Sequence, residues 1–204
     1  GANEEVLRLA TSFTKRINMD GKTITPGFID SHSHPASSGR RHLMAIDCSL
    51  DSIAKIKEEV KKKAATLNQG EWVFGFKYDD TKTSEGRYIT KEDLDQAAPN
   101  HPVMITHRGG HTSFVNSLAL KISGIDKNTP DPNGGHIDRA GQTNELTGRF
   151  LETATDLIKA DRPKITDQMY VDGVTLIYKL LAQTGITSIH DASGGIKDLD
   201  AYQA

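Results

Sequence analysis

His32-Ser33-His34 is the sharpest chemical feature of the sequence. Phe28-Ile29 just before it reads as the buried part of a short strand, which Pro35 ends. Side chains two apart on a strand point to one face, so both imidazoles can reach a single metal ion. Neutral imidazole suits Zn, Ni or Fe. Asp30 shares that face and is placed to support the histidines. The pair stands at the C-terminal end of its strand, where barrels of alternating strands and helices keep their active sites. Taken alone, the two residues could equally be surface or capping histidines, because a chain with eight histidines can show the pattern by chance.

The elements that must position this pair are written in the hydrophobic periodicity. Glu4 to Ala10 predicts a short helix, Phe13 to Met19 a weak strand, and Asp20-Gly21 a turn. Ile53, Ile56, Val60, Ala64 and Leu67 recur at steps of three and four, which predicts a helix capped by Ser49 or Asp51. Lys61-Lys62-Lys63 is then a solvated basic face near its C-terminus. Residues 71–76 read as a strand with Trp72, Phe74 and Phe76 in the core. Residues 90–93 open a helix with a capping-box pattern, and Pro102 to Thr106 is another strand.

Residues 108–145 hold six glycines and two prolines and read as a long loop-rich excursion with a short helix near Ser117–Lys121. Helical patterning returns from about Glu152 to Lys159. Thr166 caps the next helix, whose stripe is Tyr170, Val174, Ile177 and Leu181 and which Gly185 stops. Residues 186–190 form a strand, and Lys197 begins a last helix. The alternation predicts βα units around a parallel sheet, with core strands near 28, 72, 103 and 187.

Composition narrows the function. Lys and Arg number 25 against 27 Asp and Glu, and this balance argues against a nucleic-acid partner. No apolar run approaches the ~18 residues of a membrane span. The opening Gly-Ala-Asn-Glu-Glu lacks the cationic and apolar parts of a signal peptide. One cysteine, Cys48, excludes an internal disulfide, reads as a buried small residue, and permits a cytoplasmic location. The remaining histidines, His42, His101, His107 and His136, carry no signal beyond surface or loop residues.

Four ordered blocks carry a family resemblance. Residues 21–35, Gly-Lys-Thr-Ile-Thr-Pro-Gly-Phe-Ile-Asp-Ser-His-Ser-His-Pro, resemble the entry motif of the amidohydrolase superfamily. There a small β-rich domain passes through a Pro-Gly turn into the first barrel strand and its His-x-His. His111 to Leu120 resembles the Gly-His-x-x-x-x-Asn-Ser-x-x-Leu segment of the family 3 branch, which includes N-substituted formamide deformylases. Leu146 to Glu152 resembles its Thr-Gly-x-Leu-x-Glu motif, with Phe150 in an aliphatic position. Gly185 to Ala192 resembles its Gly-Ile-Thr-Ser-x-x-Asp strand.

The resemblance implies an α/β fold, a partial (β/α)8 TIM-type barrel of about its first half. Residues 1–25 would be a remnant of the N-terminal β-rich domain and residues 26–204 the barrel portion. It implies a divalent metal, zinc first, as one or two ions, with Fe, Ni or Mn as alternatives. His32 and His34 match the first metal ligands. Glu152 matches a carboxylate that reaches the metal, although a first-turn helix carboxylate is the plainer reading. His111 matches a catalytic pocket histidine or is a loop turn residue, and His190 or Asp191 orients groups at the same mouth or is an ordinary structural pair. The reaction implied is hydrolysis of an amide-like, non-peptide C–N bond by metal-activated water, on a small-molecule substrate.

The family also supplies two histidines from middle strands and an aspartate from the last strand, for which this sequence has no matching stretch. Its 204 residues fall short of the roughly 250 of a complete barrel. The expectation is therefore an N-terminal portion, silent alone, that needs the missing C-terminal half or forms a homo-oligomer. A truncated, non-catalytic scaffold is the alternative. A small metal-binding β-barrel is a third reading, opposed by the Tyr170–Leu181 helix.

Overall fold

The computed structural model describes residues 3–204. In chain order the elements are α1 (Asn3–Leu7), β1 (Phe28–Ser33), α2 (Pro35–Met44), β2 (Ile46–Asp47), α3 (Ile53–Ala64), β3 (Val73–Tyr78), α4 (Lys91–Ala97) and β4 (Val103–His107). They continue with β5 (Thr112–Val115), α5 (Ser117–Ser123), β6 (Gly135–Arg139), β7 (Leu146–Glu152), α6 (Asp167–Gln183), β8 (Ile186–Asp191) and α7 (Ile196–Gln203).

The strands form two sheets, so the four expected core strands do not lie around one parallel sheet. β1 and β8 pair with each other in parallel, Phe28 opposite Ile186 and Ser33 opposite Asp191. β3 and β4, the other two expected core strands, lie in a separate six-stranded sheet of order β2-β3-β4-β5-β7-β6. β2, β3 and β4 are parallel there, and the β4–β5, β5–β7 and β6–β7 pairs are antiparallel. Residues 46–158, which carry this sheet, are thus inserted in the chain between two strands that are neighbours in space, while α2 and α6 pack on each other and on α7. Alternation of strands and helices predicts these four strands but not which of them pair.

Other expectations change locally. The expected excursion at 108–145 contains β5, α5 and β6. Glu152 to Lys159 is not an α-helix but the end of β7 followed by a 3-10 turn at Thr153–Leu157. Phe13 to Met19 forms no strand, and Phe13 is 95% exposed. Pro35 does end β1, but it also starts α2, since a proline at the first helical position loses no hydrogen bond. Ser52, not Ser49 or Asp51, caps α3 by accepting the Lys55 N–H. The capping box at Thr90 and Asp93, the Thr166 cap of α6 and the left-handed Gly185 after it are as expected.

Packing follows the patterns. Ile53, Ile56 and Val60 of α3 bury against Val73, Val103 and Ile105 on one face of the large sheet. Trp72, Phe74, Met104, Ile137 and Phe150 fill the other face, so the aromatic residues of β3 are core as expected. Cys48 is fully buried, which pushes its thiol up to about 12. α2 crosses α6 at Gly39 and Gly173, where a Cβ on Gly39 would strike the Gly173 carbonyl. Arg40 of α2 forms a largely buried ion pair with Asp198 of α7, and Asp198 also accepts the Gly195 N–H at the start of that helix.

Candidate functional site

β1 delivers His32 and His34 to the end of the small sheet. Their ring centroids are 5.4 Å apart at 81°, both residues are exposed, and the rings meet edge to face. His34 occupies the N-cap position of α2, but its side chain caps nothing. Instead its Nδ1 shares a 2.9 Å hydrogen bond with Ser193 Oγ, just beyond β8. Asp30 accepts the His32 backbone N–H at 3.1 Å, so it holds the strand end and bonds neither imidazole.

β8 braces this end. Ser33 Oγ donates to the His190 carbonyl at 3.4 Å, and the Ala192 N–H donates to the Ser33 carbonyl at 2.9 Å. His190 and Asp191, adjacent on a strand, point to opposite faces. Asp191 accepts hydrogen bonds from Tyr202 Oη and from the Ser193 N–H. Burial pushes its pKa up, but these bonds, the Ala36 N–H and the nearby His34 outweigh it and hold Asp191 below the usual carboxylate range. Burial and the Asp191 carboxylate together push the Tyr202 phenol up. The sequence reading missed Ser193 and Tyr202. The only local signal was a polar, glycine-rich turn, Ser193-Gly194-Gly195, directly after the strand.

His111 and Glu152 come together at an edge of the large sheet. His111 Nδ1 lies 3.0 Å from Glu152 Oε2, and the Glu152 N–H donates to the His111 carbonyl at 2.7 Å. Glu152 holds φ at +52°, a conformation that costs a non-glycine residue about 1–3 kcal/mol. Both side chains are exposed.

The structure does not gather Glu152 with His32 and His34. Among the described residues, the one trio of His, Cys, Asp or Glu whose ligand atoms all lie within 4.8 Å is Asp79, Asp80 and His107. It sits where β3 and β4 end, and His107 Nε2 is 3.2 Å from Asp80 Oδ1. Asp79 is already committed to Arg108 at 2.8 Å and to Thr81. Thr81 and Arg108 hold its carboxyl down to about 2. His107, expected as a surface or loop histidine, instead ends a parallel strand beside Asp79-Asp80.

The Asn116 of the resemblance has a structural task. Its buried side chain accepts the Val103 and Ala119 N–H groups and donates to the His101 carbonyl. Gly148 of the Thr-Gly motif has φ +92°, and a Cβ there would strike the Val115 carbonyl.

These placements can be set beside known proteins. The family model described as the amidohydrolase family matches residues 15–204. The chain belongs to the amidohydrolase family. Among its relatives, the Bacillus subtilis (strain 168) protein YtcJ is 32% identical over 189 residues, covering 93% of this chain and 35% of that protein. The N-substituted formamide deformylase of Arthrobacter pascens is 30% identical over 210 residues, covering 100% of this chain and 38% of the enzyme. An uncharacterized metal-dependent hydrolase from Pyrococcus furiosus superposes with a TM-score of 0.51 at 26% identity, covering 87% of this chain and 34% of that one. This amidohydrolase chain thus spans about a third of the length of the curated relatives it matches. No helix among its described residues is long and apolar enough to cross a membrane.

Proposed function

We propose that this chain carries the first metal ligands of a hydrolase that cleaves an amide-like, non-peptide C–N bond in a small molecule. The observation that carries the reading is the His32–His34 pair at the end of β1, braced by Ser193 just beyond the parallel neighbour β8. The donor set fits a divalent ion. With Nδ1 of His34 engaged by Ser193, Nε2 is left to bind, and rings 5.4 Å apart can each place a nitrogen at the roughly 2.0–2.1 Å of a Zn–N bond. Zinc is the first choice, with Fe, Ni or Mn as alternatives and one or two ions. The Pyrococcus furiosus neighbour, described as metal-dependent, and the Arthrobacter pascens deformylase support this assignment. When bound, such an ion supplies Lewis-acid polarisation of the substrate carbonyl and a more acidic water.

The chain's own residues do the rest of the work in this reading. His32 and His34 bind, and Ser193 fixes the ring of His34. Glu152 holds His111 by Nδ1 and leaves Nε2 free to face substrate. Asp191, pinned by Tyr202 and the Ser193 N–H, keeps the turn after β8 in place, and Asp30 does the same for the end of β1. His190 lines the opposite face of that strand.

We further propose that β1 and β8 are adjacent strands of a larger parallel barrel. Phe28 and Ile29 are 60% and 75% exposed, an apolar strand that further strands or a second copy would cover. A single buried thiol fits action in the cytoplasm. The test is amine release from N-substituted formamides and N-acyl amines. The 204-residue chain alone should release none, while a longer polypeptide completing the barrel should do so only with His32 and His34 intact. Turnover indifferent to His32→Ala in that longer form would leave the scaffold reading in its place.

A further inference from the structure

A second feature lies between α2 and the large sheet. A cleft of about 270 Å³ opens where β3 and β4 end and is lined by Arg41, Lys77, Arg108 and Arg162 beside Phe74 and Phe76. It adjoins a second space of about 280 Å³ that shares Arg41, Phe74 and Arg162. No acidic side chain lines either space.

Most of the cations there are neutralised from outside the cleft. Lys77 pairs with Asp47 at 2.9 Å, Arg108 with Asp79 at 2.8 Å, and Arg40 with Asp198. Arg41 and Arg162 are not neutralised in this way. Among the described residues neither guanidinium has a hydrogen-bond or ion-pair partner, and each lies over an aromatic ring, Arg162 5.2 Å from Phe74 and Arg41 5.9 Å from Phe76. A guanidinium laid on a ring keeps the donors at its edge free for a two-pronged contact with a carboxylate. The local field is positive enough to act on a neighbour. Burial first, then Lys77 and Arg41, holds His42 below its usual range against the opposing pull of Asp47.

We propose that this cleft binds a small organic anion, its carboxylate between Arg41 and Arg162 and its apolar body against the part of Phe74 that lines the cleft. The aromatic face separates this from a site for a bare inorganic ion, which would gain nothing from Phe74. Arg41 lies seven residues beyond His34 on α2, about 10 Å along the helix. The binding stands whether or not the chain hydrolyses amides.

Calorimetric titration of the 204-residue chain with benzoate tests this. One saturable site is expected, weakened roughly tenfold by Arg41→Gln or by Arg162→Gln, the loss of one charge-assisted contact. Neither guanidinium makes a hydrogen bond within the chain, so both variants should keep the wild-type far-UV spectrum. Lys61→Gln, an exposed charge on α3 away from the cleft, should bind as wild type does. Benzamide should not bind, and inorganic phosphate should bind more weakly than benzoate. Absence of saturable benzoate binding, an equal loss in Lys61→Gln, or phosphate binding as tight as benzoate would overturn the proposal.

Discussion

In the proposed reading, Ser193 orients His34 as a metal ligand although His34 stands at the head of a helix. The hydroxyl fixes the ring that the N-cap role would otherwise turn toward the backbone. Removing such an orienting partner costs roughly 10–100-fold in metal affinity. Ser193→Ala should therefore weaken zinc binding within that range and leave the thermal midpoint unchanged, both readable by titration and calorimetry. Asp79 offers a contrast, because its chemistry is structural. Its carboxyl ordinarily titrates at 3.8 and is held down to about 2, so the stability it contributes is full above about pH 4 and is lost as pH falls toward 2. Urea unfolding across that window should show Asp79→Asn approaching wild type as pH drops; a gap that stays constant would contradict the assignment. At this scale the sequence was legible where spacing alone sets geometry, as at His32 and His34. Ser193 was hidden because it lies 159 residues from His34 and meets it only through strand pairing.

At the scale of elements, α2 and α6 approach closely because neither carries a side chain at the crossing. An alanine in place of glycine on an open helix face gains up to about 1 kcal/mol. Here Gly39→Ala would drive a methyl into the Gly173 carbonyl, and such overpacking costs about 1–3 kcal/mol. The variant should unfold at lower denaturant than wild type, and a gain in stability would show that the crossing is looser than described. Asn116 plays a similar part in the large sheet, bridging the start of β4 to α5. Asn116→Ala strands buried backbone groups and should cost at least about 2 kcal/mol in the same assay. Periodicity revealed α3 and α6 because each buries one face, the capping box revealed α4, and apolar runs revealed β3 and β4, which are buried on both faces. α2 was obscured because Pro35 reads as a stop. β5 and β6 were obscured because they lie in glycine-rich sequence and pair antiparallel within a run expected to wind in parallel.

At the scale of the whole molecule, the two-stranded sheet is the least self-sufficient part. β1 and β8 have each other as partners, yet Phe28 and Ile29 face solvent. Parallel strands left open in this way invite pairing. Sedimentation should show mass rising with concentration, and Ile29→Lys should suppress the rise; a monomer at every concentration would argue against an unfinished sheet. The family was legible from four separated motifs, whereas the insertion of the large sheet between β1 and β8 was not, since no motif records which strands pair. The central claim is that β1 and β8 together present His32 and His34 to one divalent ion. Its most direct test is zinc titration of the wild-type chain beside the His32→Ala and His34→Ala variants. The account predicts saturable binding in the wild type that falls at least tenfold in each variant; binding that is equal in all three, or absent from the folded wild type, would contradict it.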